Sequence, residues 1–317
     1  MPNAANPLAG RDLMRLLDLT PQEFDLVLDT AAKQKADWAA GVHEAPCAGQ
    51  AVAIIMEKPS LRTRSSFEIG AARLGAHPLV MADDHSAFSR GETVHDTTKV
   101  LERFVDCIVL RTFAHSKAEE VAQWAQVPVI NALTDDFHPC QGLADALTIR
   151  EHKGSLNGLA LTYVGDGANN MAHTYLELGA IAGMDVRIGC PATHMPNPQY
   201  VEECQAMAAK TGATITITQS PEEAVTGADV VLTDTWTSMG DEAAHDENVK
   251  AFDGWQVNAA LMALAKPDAI FMHCLPAHRG EEVTDEVMDG GQSVIFDEAE
   301  NRLHAQKALM SLLMGAA

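Results

Sequence analysis

Short apolar runs alternate along the chain with segments whose apolar positions recur every three or four residues. The run at 51–56, AVAIIM, has strand length and no polar position, the pattern of a strand buried on both faces. After it, Phe67, Ala71 and Leu74 share one face of a helix predicted over 61–75. Further strands are predicted near 78–81, 107–111 and 128–131, with helices over 93–105 and 117–126 between them. Upstream, Thr20-Pro21-Gln22-Glu23 marks a helix start: Thr20 caps, Pro21 suits the first helical position and Glu23 completes a capping box. A helical pattern over 140–152 then leads to a loop-like stretch ending at Gly158, and the domain junction is placed on that helix.

A second alternating series follows. It has strands at 159–164, 185–189, 213–218, 229–233 and 269–273, and helices at 169–182 and 198–211. A long helix within 247–265 and a last helix over 297–314 complete it. Alternation of this kind predicts parallel sheets with crossover helices, here two doubly wound α/β domains of similar size.

In open α/β sheets ligands bind beyond the carboxyl ends of the strands. Polar clusters stand at six such ends. The first is Ser60-Leu61-Arg62-Thr63-Arg64, between a strand and a helix N-terminus, where free backbone N–H groups and the helix dipole favour an anion. Arginines and hydroxyls there make a phosphate-sized site. The same stretch also fits a plain capped helix through Ser65 and Glu68, with Arg62 and Arg64 as surface charges. The other ends carry Arg111; His138-Pro139-Cys140-Gln141; Asp166 with Asn169 and Asn170; Asp234, leading to Ser238-Met239-Gly240; and His273-Cys274-Leu275-Pro276. Their common placement predicts one catalytic cleft between the domains.

Gly165-Asp166-Gly167 begins like a dinucleotide fingerprint. Asn170 stands where the third glycine belongs, and no acid ends the strand at 185–189, so a nucleotide-dependent oxidoreductase is a minor alternative. Asn169 and Asn170 also fit as helix caps. Composition narrows the field further. A net charge of −22 argues against a nucleic-acid partner, and it makes the arginines at 62 and 64, with Lys58 just before them, conspicuous. The six cysteines form no C-x-x-C pair and read as reduced thiols. The thirteen histidines show no metal-binding spacing, so no metal is expected. Neither a membrane-length apolar run nor a secretory pattern is present, and the expected location is cytoplasmic.

Taken together, Ser-x-Arg-Thr-Arg at 60–64, His-Pro-Cys-Gln at 138–141, Asp234 with Ser-Met-Gly at 238–240, His-Cys-Leu-Pro at 273–276 and the segment 296–304 resemble the ornithine carbamoyltransferases over nearly the whole chain. The resemblance implies a carbamoyl-phosphate domain at 1–140 plus 298–317, closed by the returning last helix, and an ornithine domain at 141–297. It implies carbamoyl transfer to ornithine in arginine metabolism, giving citrulline and phosphate, with no cofactor and a homotrimer or multiple of trimers. Ser60, Leu61, Arg62 and Thr63 would bind phosphate. Arg111, His138, Pro139, Cys140 and Gln141, with Arg302, would complete the carbamoyl-phosphate site. Asn170, Asp234, Ser238 and Met239 would hold ornithine, with Cys274 and Leu275 beside the reacting groups. Arg111, His138, Asp234 and Cys274 would be catalytic. Ala87 stands where many relatives carry a glutamine lent by a neighbouring subunit, and Ser89 or Arg90 is the candidate substitute. Carbamoyl transfer to N-acetylornithine, putrescine or aspartate is the neighbouring alternative, and a non-catalytic binding protein the remoter one.

Overall fold

The computed structural model describes residues 6–82, 91–237 and 249–315. Ala87, Ser89, Arg90, Ser238, Met239 and Gly240 therefore lie outside the described residues. The chain forms two compact units, one of residues up to Leu147 together with those from Glu300, the other Thr148–Ala299.

The first unit is built on a four-stranded parallel sheet of order β2-β1-β3-β4, comprising β1 (Ala51–Met56), β2 (His77–Ala82), β3 (Cys107–Arg111) and β4 (Val129–Leu133). β1 is interior and buried from Val52 to Met56, as its unbroken apolar run requires. Helices α1 (Pro21–Ala39), α2 (Leu61–Arg73), α3 (Val94–Leu101), α4 (His115–Trp124) and the first half of α5 (Pro139–Lys153) belong to it. Thr20 caps α1 by accepting from the Glu23 N–H, and the Glu23 carboxylate accepts from the Thr20 N–H.

The second unit has a five-stranded parallel sheet of order β7-β6-β5-β8-β9. Its strands are β5 (Ala160–Val164), β6 (Asp185–Gly189), β7 (Thr214–Thr218), β8 (Val230–Thr233) and β9 (Ile270–His273). Its helices are α6 (Asn170–Ala182), α7 (Pro198–Thr211) and the short α8 (Pro221–Val225), α9 (Ala259–Met262) and α10 (Asp285–Met288). The last helix, α11 (Ile295–Leu313), passes into the first unit at Glu300.

The long helix expected within 247–265 is not formed in its described part. Gly254 adopts φ +86°, which a right-handed helix excludes, and Phe252 and Trp255 on either side of that turn enter the core. Val257 then bridges to Val283, and Asn258 caps the short α9 by accepting from the Leu261 N–H. The capping box read from Ser65 and Glu68 is also absent. α2 begins at Leu61, with the Ser60 hydroxyl accepting from the Thr63 N–H, so both residues lie inside the helix.

Candidate active site

In each sheet the strand order reverses at one point, and that point is where a crevice opens at the strand ends. In the first unit the reversal falls between β1 and β3. β1 leads to Ser60 at the N-terminus of α2, and β3 ends on Arg111. Thr63 is the centre of what gathers there. Its hydroxyl oxygen lies 3.1 Å from the Ser60 hydroxyl, 3.3 Å from Arg111 Nη1 and 3.4 Å from Arg302 Nη2. Two guanidiniums thus meet over one threonine at a helix N-terminus. Arg111, Thr63 and Arg302 are all buried.

Arg302 is held on α11 by a polar chain. Nη1 donates to Gln141 Oε1 at 2.6 Å, and the Gln141 amide donates to Asp145 at 2.8 Å. Nε donates to Gln306 Oε1 at 3.1 Å, an oxygen that also accepts from Ser66 at 2.8 Å. His138 is buried nearby. Burial, then the charges of Arg302, Arg111 and Arg62, hold its pKa well below the usual imidazole range, so it is a neutral hydrogen-bonding group. Gln306 and Ser66 belong to no motif of the sequence. Their one signal is the four-residue spacing of Gln306 behind Arg302 on the last helix.

Several sequence candidates turn elsewhere. Lys58 is paired with Asp135 at 2.5 Å and lies over Phe113, and Arg64 makes an exposed pair with Glu68, so neither adds free positive charge. The Leu61 side chain is 78% exposed, which leaves its backbone as the part near the anion site. The Cys140 thiol is buried against the Asn131 carbonyl at 3.3 Å and pushed up to about 12 by burial, so it is an inert group. Pro139 opens α5 beside it.

In the second unit the reversal falls between β5 and β8. β5 leads to Asp166, to Asn169, which caps α6 through the Ala172 N–H, and to Asn170, the first residue of α6. Gly167 in this turn serves packing. A Cβ there would come 2.6 Å from the His194 carbonyl and 2.7 Å from the Cys190 sulfur. The G-x-G is therefore explained by the close 190–194 loop, with no dinucleotide required.

β8 leads to Asp234, whose carboxylate accepts from the Thr235 N–H at 2.8 Å and from the Cys274 thiol at 3.2 Å. Burial raises the Asp234 pKa above its ordinary value, while His273, Cys274 and Thr235 oppose that rise. Asp166 is also raised, first by burial and in part by the charge of Asp234. Beside Cys274, Leu275 has φ +59°, a left-handed conformation that is uncommon for a non-glycine residue, and its N–H donates to His273 Nδ1 at 2.9 Å. The imidazole proton is therefore on Nε2, which donates to the buried Glu282 at 3.2 Å. Glu282 also accepts from the His278 N–H at 2.6 Å. This His273–Glu282 support escapes a sequence reading because Glu282 lies in an unremarkable loop sequence. Arg279 is taken up by Asp285 and Asp289.

Two doubly wound domains, one gathering buried arginines at a helix N-terminus and the other a half-buried acid bonded to a thiol, define a two-domain α/β protein with polar clusters at the switch point of each sheet. Residues 11–151 match the family profile "Aspartate/ornithine carbamoyltransferase, carbamoyl-P binding domain", and residues 157–313 match "Aspartate/ornithine carbamoyltransferase, Asp/Orn binding domain". A protein named ornithine carbamoyltransferase from Bifidobacterium longum subsp. infantis is 53% identical over 311 residues, 97% of this chain and 96% of that protein. One of the same name from Rhodococcus opacus is 54% identical over 298 residues, 94% of each. The solved ornithine carbamoyltransferase from Pyrococcus furiosus superposes with a TM-score of 0.95 at 47% identity, covering 98% of this chain and 99% of that one. The chain belongs to the aspartate/ornithine carbamoyltransferase family.

Proposed function

We propose that this protein transfers the carbamoyl group of carbamoyl phosphate to the side-chain amine of L-ornithine, giving L-citrulline and phosphate. The observation that carries the reading is the pairing of chemistries. One switch point gathers Arg111 and Arg302 on Thr63, suited to a phosphorylated substrate, and the other presents half-buried Asp234 with Cys274, suited to an ammonium. Relatives of about 50% identity that carry the ornithine carbamoyltransferase name support the same substrates.

Ser60, Arg62, Thr63 and the α2 N-terminus hold the phosphate and neutralise the charge it gains on leaving. Arg111 and neutral His138 donate to the carbamoyl oxygen as it becomes an oxyanion, with Gln141 on the carbamoyl amide. Such preorganised donors are usually the largest single catalytic contribution. Asp234 receives the cationic amine, with Asn170, Ser238 and Met239 on the amino-acid end, and Cys274 and Leu275 border the reacting atoms. The ammonium first gives up one proton to solvent; the neutral amine nitrogen then bonds to the carbamoyl carbon, the bond from that carbon to the phosphate oxygen breaks, and the second amine proton passes to the departing phosphate. The chain's own groups supply positioning and electrostatic stabilisation, and the leaving phosphate serves as proton acceptor.

The test is a panel of amines incubated with carbamoyl phosphate: ornithine, N-acetylornithine, putrescine and aspartate. Citrulline from ornithine, with the others at background, is the expected result. Turnover of one of the others instead would keep the anion site and overturn the assignment of the second domain.

A further inference from the structure

Trp38, near the end of α1, has both ring faces covered. The His43 ring stacks on it with centroids 4.0 Å apart and an interplanar angle of 26°. The guanidinium carbon of Arg73, the last residue of α2, also lies 4.0 Å from the indole centroid. At such distances each face admits one group, so the indole is sandwiched between them. A second cation, Lys307 Nζ on α11, lies 5.6 Å from the same centroid. Two like charges are thus brought onto one ring by three helices of the first unit.

Among the described residues, neither Arg73 nor Lys307 has an acidic partner. Asp37, whose charge acts on Lys307, is itself engaged by Lys33 at 2.7 Å. Lys307 is only 6% exposed, and burial followed by the Arg73 charge pushes its pKa down. Burial depresses the pKa of neighbouring His304, and Lys35 and Lys307 add to that shift against the opposing Glu300. The indole quadrupole offsets part of this cost. The repulsion and the desolvation of the ammonium remain. A guanidinium set over a ring still has N–H donors that match a carboxylate or phosphate. In a chain with 44 acidic residues against 22 basic ones, two basic residues that form no ion pair with any described acid make a site suited to an anion.

We propose that Arg73 and Lys307, held on Trp38, form a second anion site that takes a small dianionic oxyanion, a phosphate or a dicarboxylate. The site is separate from the Thr63 cradle and does not depend on the reaction proposed above. The test is calorimetric titration of the full chain with inorganic phosphate and, separately, succinate, at constant ionic strength. Phosphate is expected to fill two classes of site per chain. Arg73→Gln should remove one of them or weaken it at least tenfold, with turnover unchanged. Lys307→Met, which keeps the apolar stem between the helices, should do the same and guards against a folding defect in the first variant. Arg62→Gln should weaken only the other class. Succinate binding lost in Arg73→Gln would identify a dicarboxylate as ligand, and a site filled by phosphate alone would identify phosphate. Isotherms of Arg73→Gln and Lys307→Met that superimpose on the wild type for both anions would overturn the proposal.

Discussion

Asp234 is a carboxylate that burial makes costly to ionise in the absence of a cation. Replacing it with Asn removes the charge and keeps the shape. Asp234→Asn is therefore expected to hold or raise the unfolding temperature while ornithine turnover falls by about two orders of magnitude or more. Joint measurement of melting and steady-state kinetics checks both halves. Arg302→Met should act on the other substrate. It loses the bonds to Thr63, Gln141 and Gln306, and kcat/KM for carbamoyl phosphate is expected to fall roughly 10²–10³-fold. His138 bears on pH. Its folded pKa is depressed, so the unfolded chain takes up a proton that the native protein refuses, and stability falls as pH drops below the ordinary 6.5. His115 and His304 are lowered as well and add to the same slope. Asp12, Asp166 and Asp234 are raised and act with the opposite sign, in a lower window that begins at 3.8. Melting temperature should thus decline between pH 7.5 and 5.5, and a flat profile would contradict the buried neutral histidines.

Elements with strong local signals are legible in the amino-acid pattern itself. β3, β6 and α7 have the predicted bounds; β6 is closed by Cys190-Pro191 and α7 by Gly212, and β3 is a compact apolar run that ends on a charge. The capping box at Thr20 forms as its residues predict, and Thr20→Ala should cost about 1 kcal/mol, a drop of roughly 2–4 °C in the melting of its domain. The 247–265 segment misleads because apolar spacing alone does not register the Asp253-Gly254 turn that separates Phe252 from Trp255. Pro221–Val225 is easily passed over, although Ser220-Pro221 repeats the start signal of Thr20-Pro21. At the site, what can be read are residues in short motifs at strand ends. The bridge from Ser66 to Gln306 spans 240 positions and joins two helices, so no local pattern announces it. Cys140 stands in a motif that implies a substrate contact, and its thiol is bonded to the Asn131 carbonyl, which leaves its backbone for that contact.

At the scale of the molecule, the described helices include none long and apolar enough to cross a membrane. The proposed chemistry calls for no metal, so exhaustive dialysis against a chelator is expected to leave the rate unchanged, and loss restored by a divalent ion would overturn that mechanism. We further propose a homotrimer or a multiple of trimers, as the family resemblance implies. Light scattering should then give a mass near an integral multiple of three 34.0 kDa chains, and a monomer that turns over would refute it.

The first domain draws on two distant stretches of chain, up to Leu147 and from Glu300 onward, whereas the second is one continuous stretch. On the ribosome this inverts the usual order. The half begun first waits, while residues 148–299 can emerge and fold as a unit. Only afterwards does α11 arrive with Arg302 and Gln306. A nascent chain thus lacks the Arg302 bonds to Gln141 and Thr63 until its final helix is made. Translation halted at 299 would omit most of α11, and with it Arg302 and Gln306.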